Sequence, residues 1–223
     1  MSKKLKEIAV LTSGGLDSAI LLADLATSNK TRPIYVRSGL RWENEEINSL
    51  QNFIDAINNP LISEIVTLSI DGSSLYGKSH WSMQGQVPAY DAPDEHVYIP
   101  GRNFILIGLA AIWCSSHNIS SIFLGSLKGN PFADATDQFL NDYSKILKYG
   151  LHKDISVQAP YKQKNKVELI REFKHLPLDK TMTCMQPVGM IHCNACNKCK
   201  ERRDAFKQAG IQDKTKYNHE ENS

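Results

Sequence analysis

The 223-residue sequence lacks a long apolar run, an excess of charge of either sign and an internal repeat. No stretch approaches the ~18 apolar residues of a membrane-spanning helix, so no membrane partner is expected. Lys and Arg number 26 and Asp and Glu 24, which leaves a net charge of +2. So close a balance does not favour a nucleic-acid partner, and no direct contact with nucleic acid is expected. The length fits one domain, or one domain with an appendage.

The amino terminus is basic but has no secretory signal. After Met1 to Lys6, the apolar stretch is short and ends at a glycine turn instead of continuing to a cleavage site. We therefore expect a cytoplasmic protein. Four of its five cysteines lie between residues 184 and 199, and in a reducing compartment such clustering is typical of metal binding rather than of disulfides.

The strongest signal is the stretch Leu11-Thr12-Ser13-Gly14-Gly15-Leu16-Asp17-Ser18. It lies between the apolar runs 8–11 and 19–23, and the pattern predicts a buried strand, a tight turn and a helix. Glycines let the backbone approach a ligand, and the free N–H groups that open a helix attract anions. Asp17 would repel a phosphate unless a cation lay between them. We therefore predict a nucleotide phosphate with Mg²⁺; the alternative is an ordinary strand-to-helix turn with a capping residue.

This glycine turn also lacks a lysine. It is neither the Gly-x4-Gly-Lys-Ser/Thr phosphate loop nor the Gly-x-Gly-x-x-Gly dinucleotide fingerprint. It resembles the pyrophosphate loop of the ATP pyrophosphatases, in which Ser-Gly-Gly-x-Asp-Ser holds pyrophosphate while the substrate is adenylated. The resemblance implies that residues 11–18 bind ATP and that AMP, rather than a γ-phosphoryl group, is transferred.

Strands and helices alternate along most of the chain. The pattern predicts an α/β fold with a parallel five-stranded sheet and helices on both faces, and ligands bind beyond the carboxyl ends of such strands. The predicted strands are 8–11, 33–37, 62–70, 120–125 and 155–159, and the later helices are 43–57, 104–114, 137–150 and 167–173. Residues 71–99 are rich in glycine, proline and aromatic residues and are read as a substrate lid or, alternatively, a flexible insertion.

Basic residues stand at two places near the predicted ligand edge. Arg102 begins an apolar helix, where it is a candidate for a phosphate or carboxylate contact or for an N-terminal salt bridge. Lys162, Lys164 and Lys166 follow the last strand. They are typical of a solvated face, with phosphate contact as the less common alternative.

Cys184, Cys193, Cys196 and Cys199 are spaced C-x8-C-x2-C-x2-C. Four thiolates suit tetrahedral Zn²⁺ in a closed, structural site, and an iron–sulfur cluster is the alternative. Cys114, in an apolar helix, is expected to be an inert core residue. We therefore divide the chain into an ATP-binding α/β domain at 1–178, a C-terminal zinc-binding helical subdomain at 179–217 and a disordered tail at 218–223.

With both signals present, the chain resembles the 7-cyano-7-deazaguanine synthase family nearly end to end. The resemblance implies an adenine nucleotide alpha hydrolase-like (Rossmann-like) fold and an ATP-dependent ligase. Such an enzyme converts 7-carboxy-7-deazaguanine and ammonia to the nitrile through an acyl-adenylate and an amide, for queuosine or archaeosine in tRNA. Its cofactors would be ATP, Mg²⁺ and Zn²⁺, and a homodimer is one expected assembly. The matching stretches are 13–18, Gly39-x-Arg41, Ile99 to Asn103, Ala159-Pro160, the four cysteines, 201–206 and 210–217.

The resemblance also assigns roles to residues. Ser13, Gly14, Gly15 and Ser18 would hold the phosphates and Asp17 the metal, and Asp17, Ser18 and Arg102 would act in catalysis. The expected substrate contacts are Arg41, Gly101, Arg102, Asn103 and Asp134.

Two loops depart from the family pattern. Arg37-Ser38-Gly39-Leu40-Arg41-Trp42 stands where members commonly have Asp-Tyr-Gly-Gln-Arg-His, and Asn130 to Thr136 replaces a common Ser-Gly-Tyr-Pro-Asp-Cys-Arg. The changes at Leu40, Ala135 and Thr136 leave the acceptor open. A relative that stops at the amide or joins the activated acid to another amine, and a tRNA thiolase with an iron–sulfur cluster, are the alternatives.

Overall fold

A computed structural model describes residues 5–218 and contains one five-stranded sheet. All neighbouring strands are parallel, in the order β3-β2-β1-β4-β5, so β1 is central. The strands are β1 Glu7–Leu11, β2 Lys30–Arg37, β3 Val66–Ser69, β4 Ser121–Leu124 and β5 Ser156–Gln158. The predicted α/β class is confirmed. Residues 219–223 of the predicted disordered tail lie outside the described residues.

The third strand is shorter than predicted. Ile62 makes only an isolated bridge with Thr31, and the ladder with β2 begins at Val66. The Thr31 N–H donates to the Leu61 carbonyl (2.8 Å) and the Ser63 N–H donates to the Thr31 carbonyl (2.9 Å), and these two bonds form that bridge, apart from the ladder.

Eight α-helices surround the sheet in the described residues. They are α1 Leu16–Leu25, α2 Glu43–Ile57, α3 Gly72–Tyr76, α4 Trp81–Gln84, α5 Arg102–Ser116, α6 Asp137–Leu151, α7 Lys166–Glu172 and α8 Asn197–Ala209. No helix of residues 5–218 has both the length and the apolar character that crossing a membrane requires.

The side chains of β1 alternate between two buried cores on opposite faces of the sheet. Ala9 and Leu11 pack with residues of α5 and α6, whereas Val10 packs with residues of α1, α2, α7 and α8. This is the arrangement expected for a parallel strand covered on both sides. Because α8 contributes Ala205 and Phe206 to the same core as α1, the division of the chain at residue 178 stays a prediction.

Residues 71–99 are held by contacts rather than forming a free insertion. The Tyr76 hydroxyl donates to the Pro100 carbonyl (2.8 Å), and Lys198 of α8 bonds Asp94 (2.9 Å). Cys196 pairs with Ala89 in an antiparallel bridge. The segment is therefore attached to the cysteine-rich part of the chain.

Candidate active site and metal centre

The turn between β1 and α1 requires glycine at residue 14. Gly14 has a φ of +73°, and a Cβ there would lie 2.2 Å from the Glu46 carbonyl oxygen. The Gly14 carbonyl accepts a hydrogen bond from the Met182 N–H (2.8 Å). The turn is thus wedged between α2 and the segment that leads to the cysteines, which fixes its shape.

Replacing Gly14 is expected to distort the turn. Gly14→Ala puts a Cβ against rigid backbone in a left-handed conformation, so we expect the free energy of unfolding to fall by about 2–4 kcal/mol and ATP affinity to be lost. Chemical denaturation and calorimetric titration with ATP measure both quantities.

Gly150→Ala is the matched control, because a Cβ at this helical glycine meets nothing within 4 Å. It should leave ATP affinity unchanged and slightly stabilise α6. Equal effects of the two variants would contradict the close-approach argument.

The hydroxyls of Ser13 and Ser18 close the turn at the start of α1. The Ser18 hydroxyl accepts from the Ser13 N–H (3.2 Å) and donates to the Gly15 carbonyl (3.2 Å). The Ser13 hydroxyl accepts from the Gly15 N–H (3.3 Å). Both hydroxyls line a cavity of about 360 Å³ at the carboxyl edge of the sheet, as do Leu11, Thr12, Gly15 and Asp17. Of the predicted ATP-binding stretch, Gly14 and Leu16 are outside this lining, and the Leu16 side chain is buried in the core.

Asp17 is paired with a lysine from another part of the chain. Its Oδ2 lies 3.4 Å from the Nζ of Lys166, the first residue of α7, which a capping box of Asn165 and Glu168 starts. Its buried Oδ1 has no hydrogen-bond partner within residues 5–218. Burial raises the pKa of Asp17, and the Lys166 charge opposes this rise. Lys166 thus puts beside the turn the positive charge that the turn itself lacks.

The Asp17–Lys166 pair is one end of a longer charge network. Lys166 also bonds Glu201 of α8, and Glu201 bonds Lys198 (2.8 Å), which bonds Asp94 (2.9 Å). Burial raises the pKa of Glu201, but Lys166 and Lys198 outweigh burial and lower it to about 2. Glu201 is therefore ionised, and the network links the glycine turn to residues 71–99.

The charge network separates two cavities. Asp17, Lys166, Lys198 and Glu201 line both the 360 Å³ cavity and a neighbouring, more polar cavity of about 790 Å³. A polyanion at the glycine turn would therefore have these charges at one end and the larger cavity beyond them.

Arg102, the first residue of α5, also lines the smaller cavity. Its Nε is buried and has no partner among the described residues. Asp134 accepts from the backbone N–H of Asn103 (3.0 Å) and contacts the Asn103 amide through its carbonyl (3.1 Å). Asn103 and Asp134 therefore fix the end of α5 that presents Arg102, although both also line the cavity.

Two predicted substrate residues are not brought into this cavity. Gly101 precedes α5 with a φ of +67° and is not part of the lining. Arg41 is exposed, and its guanidinium donates to the Gln84 carbonyl (3.2 Å). The close packing of Arg41 on Gly85 instead attaches residues 71–99 to the turn after β2.

The four clustered cysteines form a metal centre of suitable size. Their sulfur atoms all lie within 4.8 Å of one another, with 3.6 Å between Cys196 and Cys199 and 3.9 Å between Cys193 and Cys199. Tetrahedral bonds of 2.3 Å put thiolates about 3.8 Å apart around one Zn²⁺. In a four-iron cluster each cysteine binds a different iron atom, which holds the four sulfur atoms farther apart than around a single ion. The cluster therefore has the geometry of a zinc site.

Backbone N–H groups add to the thiolate stabilisation. The Cys184 sulfur accepts from Gln186 (3.3 Å) and from Cys193 (3.2 Å), and the Cys193 sulfur accepts from Ala195 (3.4 Å). His192, next to this site, is buried, and its Nε2 accepts from the Thr183 N–H (3.2 Å). The site is closed, as expected for a structural metal.

The chain matches a known protein family over most of its length. The model of the family described as queuosine biosynthesis protein QueC matches residues 7–210, which include the glycine turn and all four clustered cysteines. The chain belongs to the QueC family.

Individual QueC relatives match the chain along their whole length. A 7-cyano-7-deazaguanine synthase of Methanocaldococcus jannaschii is 29% identical, with 96% of this chain and 99% of that protein covered. A synthase of Methanothermobacter thermautotrophicus is 26% identical with the same coverage. One of Desulfotalea psychrophila is 27% identical, over 93% of this chain and 97% of that protein. The family resemblance is therefore confirmed.

The departures from the common QueC pattern divide into structural and cavity residues. Leu40 and Ala135 are buried at 5% and 1% exposure, and Thr136 caps α6 by accepting from the Phe139 N–H (3.2 Å). None of the three lines the cavity. Trp42, Asn130 and Phe132 from the same two loops do line it, so they are the departures that face the cavity.

Sequence patterns assign no site role to Glu46, Lys198 or Glu201. They favour a solvated face for Lys166, with phosphate contact as the less common alternative, yet all four residues line the cavity. The spacing of Lys198 and Glu201, three residues apart on one helix, indicates a shared face. Lys166 follows a strand end, where ligand contacts concentrate. Glu46, one turn after Trp42, has no such signal, because acidic residues are common in the first turn of a helix.

Proposed function

We propose that this protein is an ATP-dependent carbon–nitrogen ligase that converts 7-carboxy-7-deazaguanine and ammonia to 7-cyano-7-deazaguanine. The family match over residues 7–210, which joins the glycine turn to the cysteine cluster, carries the proposal. Full-length similarity to proteins named 7-cyano-7-deazaguanine synthase supports the same substrate class.

The first step is adenylation of the substrate carboxylate. A carboxylate oxygen attacks the α-phosphorus of ATP, the bond to the β-phosphate oxygen breaks, and pyrophosphate leaves. The backbone N–H groups and the hydroxyls of Ser13 and Ser18 at the start of α1 would bind the phosphates. The Lys166 Nζ, 3.4 Å from Asp17, would stabilise the charge that develops on the leaving group. This compensates for the lysine that the turn lacks.

Mg²⁺ fits this arrangement through Asp17. The Asp17 Oδ1 is buried and has no partner among the described residues, and a carboxylate oxygen is a preferred Mg²⁺ ligand. The ion would shield the phosphate charges from one another and from the carboxylate. Zn²⁺ would be bound by Cys184, Cys193, Cys196 and Cys199 and would serve the fold rather than the reaction.

The later steps need positioning more than a protein nucleophile. Ammonia attacks the acyl-adenylate carbonyl, which releases AMP and leaves an amide. The amide oxygen is then adenylated by a second ATP, and loss of AMP with two protons gives the nitrile. Arg102, whose buried Nε has no partner among residues 5–218, would stabilise negative charge on the substrate carboxylate and phosphate.

Incubation of the purified protein with ATP, Mg²⁺, ammonium and 7-carboxy-7-deazaguanine tests the proposal. Mass spectrometry should show loss of the acid and appearance of the nitrile, with AMP and pyrophosphate formed. Amide as the final product would favour the relative that stops at the amide, for which Trp42, Asn130 and Phe132 at the cavity are the supporting departures. No consumption of the acid would refute the proposal.

Lys166→Met is expected to slow turnover about 100-fold while leaving the protein folded. The variant removes the only lysine beside Asp17 that the described structure pairs with it. Pyrophosphate release measures the effect.

Lys164→Met is the matched control, because Lys164 lies two residues away and pairs instead with the surface residue Glu172. It should retain the wild-type rate. Equal rates for Lys166→Met and wild type would contradict the phosphate role of Lys166.

The cytoplasmic location and the homodimer also remain proposals. The four reduced thiolates of the metal centre are the chemistry of a reducing compartment, which supports the first. The partners proposed are the small-molecule substrate and ammonia, without membrane or direct nucleic-acid contact.

A further inference from the structure

Glu46 is a buried carboxyl group without an ion pair. The residue is 7% exposed, its side chain lines the smaller cavity, and no Lys, Arg or His nitrogen of residues 5–218 lies within 4.0 Å of its oxygens. Burial raises its pKa to about 7, although the more distant Arg102 charge opposes the rise. An unpaired carboxyl in such a place costs stability, and groups of this kind are often functional.

The carboxyl is oriented by two aromatic donors. The Tyr35 hydroxyl donates to Oε2 (2.6 Å) and the Trp42 indole N–H donates to Oε1 (3.0 Å). A carboxylate has about four acceptor positions, so each oxygen retains one. The Glu46 backbone is also fixed, because its carbonyl lies against Gly14. The cavity therefore holds a rigid pair of acceptors.

We propose that Glu46 recognises the 2-amino-pyrimidinone edge of the deazaguanine by accepting hydrogen bonds from its ring N1–H and its 2-amino group. This inference rests on the proposed function. The ring N–H and the amino group are adjacent donors, and two adjacent donors match the two oxygens of one carboxylate. The adenine of ATP presents one amino group between two ring nitrogens that accept hydrogen bonds. An ionised carboxylate repels the lone pairs of these nitrogens.

The surroundings suit a flat heteroaromatic ring. Trp42 and Trp81 stack with their ring centroids 5.9 Å apart and an interplanar angle of 19°, and both line the cavity with Glu46. Such rings provide apolar walls for a planar ligand. Trp42 also stands where family members commonly carry histidine, so the indole that orients Glu46 is one of the departures in this chain.

Glu46→Gln separates recognition from structural support. The amide oxygen can still accept from Trp42, and the amide N–H₂ can donate to the Tyr35 oxygen, so the variant should fold. In this variant the amide oxygen is the one acceptor left for the ligand, and the amide N–H₂ directs a donor toward the second N–H of the ligand. ATP affinity should not change, because the proposed partner of Glu46 is the deazaguanine and not the adenine of ATP.

Calorimetric titration of wild type and Glu46→Gln with 7-carboxy-7-deazaguanine, its analogue without the 2-amino group, and ATP tests the inference. Wild type should bind the acid at least about 10-fold more tightly than the analogue. The variant should bind the acid at least about 10-fold more weakly than wild type and lose the preference for the 2-amino group. Glu45→Gln, one residue earlier and outside the cavity lining, should behave as wild type.

The outcomes are separable. A variant that keeps the wild-type preference for the 2-amino group, or that loses affinity only for ATP, overturns the role of Glu46 and leaves the proposed function standing. Wild type without measurable affinity for 7-carboxy-7-deazaguanine overturns the proposed function and the inference with it. A drop in thermal stability with unchanged ligand preference assigns Glu46 to the fold alone and overturns the inference.

Discussion

Asp17→Ala is expected to abolish AMP formation from ATP and to leave the zinc content of the protein unchanged. Asp17 is the acidic residue of the glycine turn, and its Oδ1 is free of partners among residues 5–218. Without it, the proposed Mg²⁺ would lose its carboxylate ligand, and the repulsion between the phosphates would no longer be offset. We expect the rate of AMP formation to fall at least about 100- to 1000-fold. Chromatography of nucleotides and atomic emission measure the two quantities.

The fold should tolerate this substitution. Lys166 keeps its second partner, Glu201, so removal of Asp17 does not leave a buried lysine unpaired. Asp55→Ala, an exposed carboxylate of α2 bonded by Gln51 (2.8 Å), is the matched control and should form AMP at the wild-type rate. Substantial AMP formation by Asp17→Ala would refute the metal role of Asp17, and loss of zinc would show that the variant had misfolded.

The fold could be predicted because its signals are local. Apolar runs bounded by turn residues identify β1, β2, β4 and β5, and a single apolar face identifies α2 with the bounds that the structure has, Glu43–Ile57. The glycine turn can also be predicted from local sequence. Gly14 and Gly15 have no Cβ atoms, which indicates a close approach to the backbone at this turn. Four cysteines within sixteen residues identify the metal centre in the same way.

The remainder of the site depends on pairings between distant residues. Lys166 forms ion pairs with Asp17, which is 149 residues earlier in the chain, and with Glu201 on α8. No local sequence pattern distinguishes Lys166 from Lys164, which forms its ion pair at the surface. Arg202 is similar. Its sequence context predicts an exposed position on a charged helix, yet Arg202 is 1% exposed. Its guanidinium donates to the Thr181 hydroxyl (2.8 Å), the Leu178 carbonyl (2.7 Å) and the Thr215 hydroxyl (2.9 Å). Arg41 stands at a motif position but lies outside the cavity lining, because a motif position does not specify which way a side chain points. Its substrate role stays a prediction.

Cys196→Ser is expected to have an effect as large as that of Asp17→Ala. The protein should lose its zinc, and residues 179–217 should become disordered. Cys196 is fully buried, its sulfur lies 3.6 Å from that of Cys199, and serine offers a hydroxyl in place of a soft thiolate. Structural zinc contributes on the order of 10 kcal/mol to small metal-dependent folds. The affinity for zinc, measured with a chromophoric chelator, should fall by several orders of magnitude, and the thermal transition should shift to lower temperature.

Turnover should be lost as well, because the metal centre supports the cavity. The Cys196 backbone bridges Ala89, and Lys198, two residues on, bonds Asp94. Met182, just before the first cysteine ligand, lines the cavity and bonds the Gly14 carbonyl (2.8 Å). Disorder around the metal therefore releases residues 71–99 and one support of the glycine turn together, and we expect both ATP and deazaguanine affinity to fall.

Cys114→Ala is the matched control for the cysteine substitution. Cys114 is fully buried in the core on the α5 side of the sheet, so its truncation should cost about 1–2 kcal/mol of stability with zinc content and turnover retained. Stoichiometric zinc in Cys196→Ser would contradict the ligand role of Cys196. Wild-type turnover by a variant that had lost its zinc would show that the metal does not hold the cavity together. An iron–sulfur cluster in the wild-type protein would instead contradict the zinc assignment and favour the thiolase alternative.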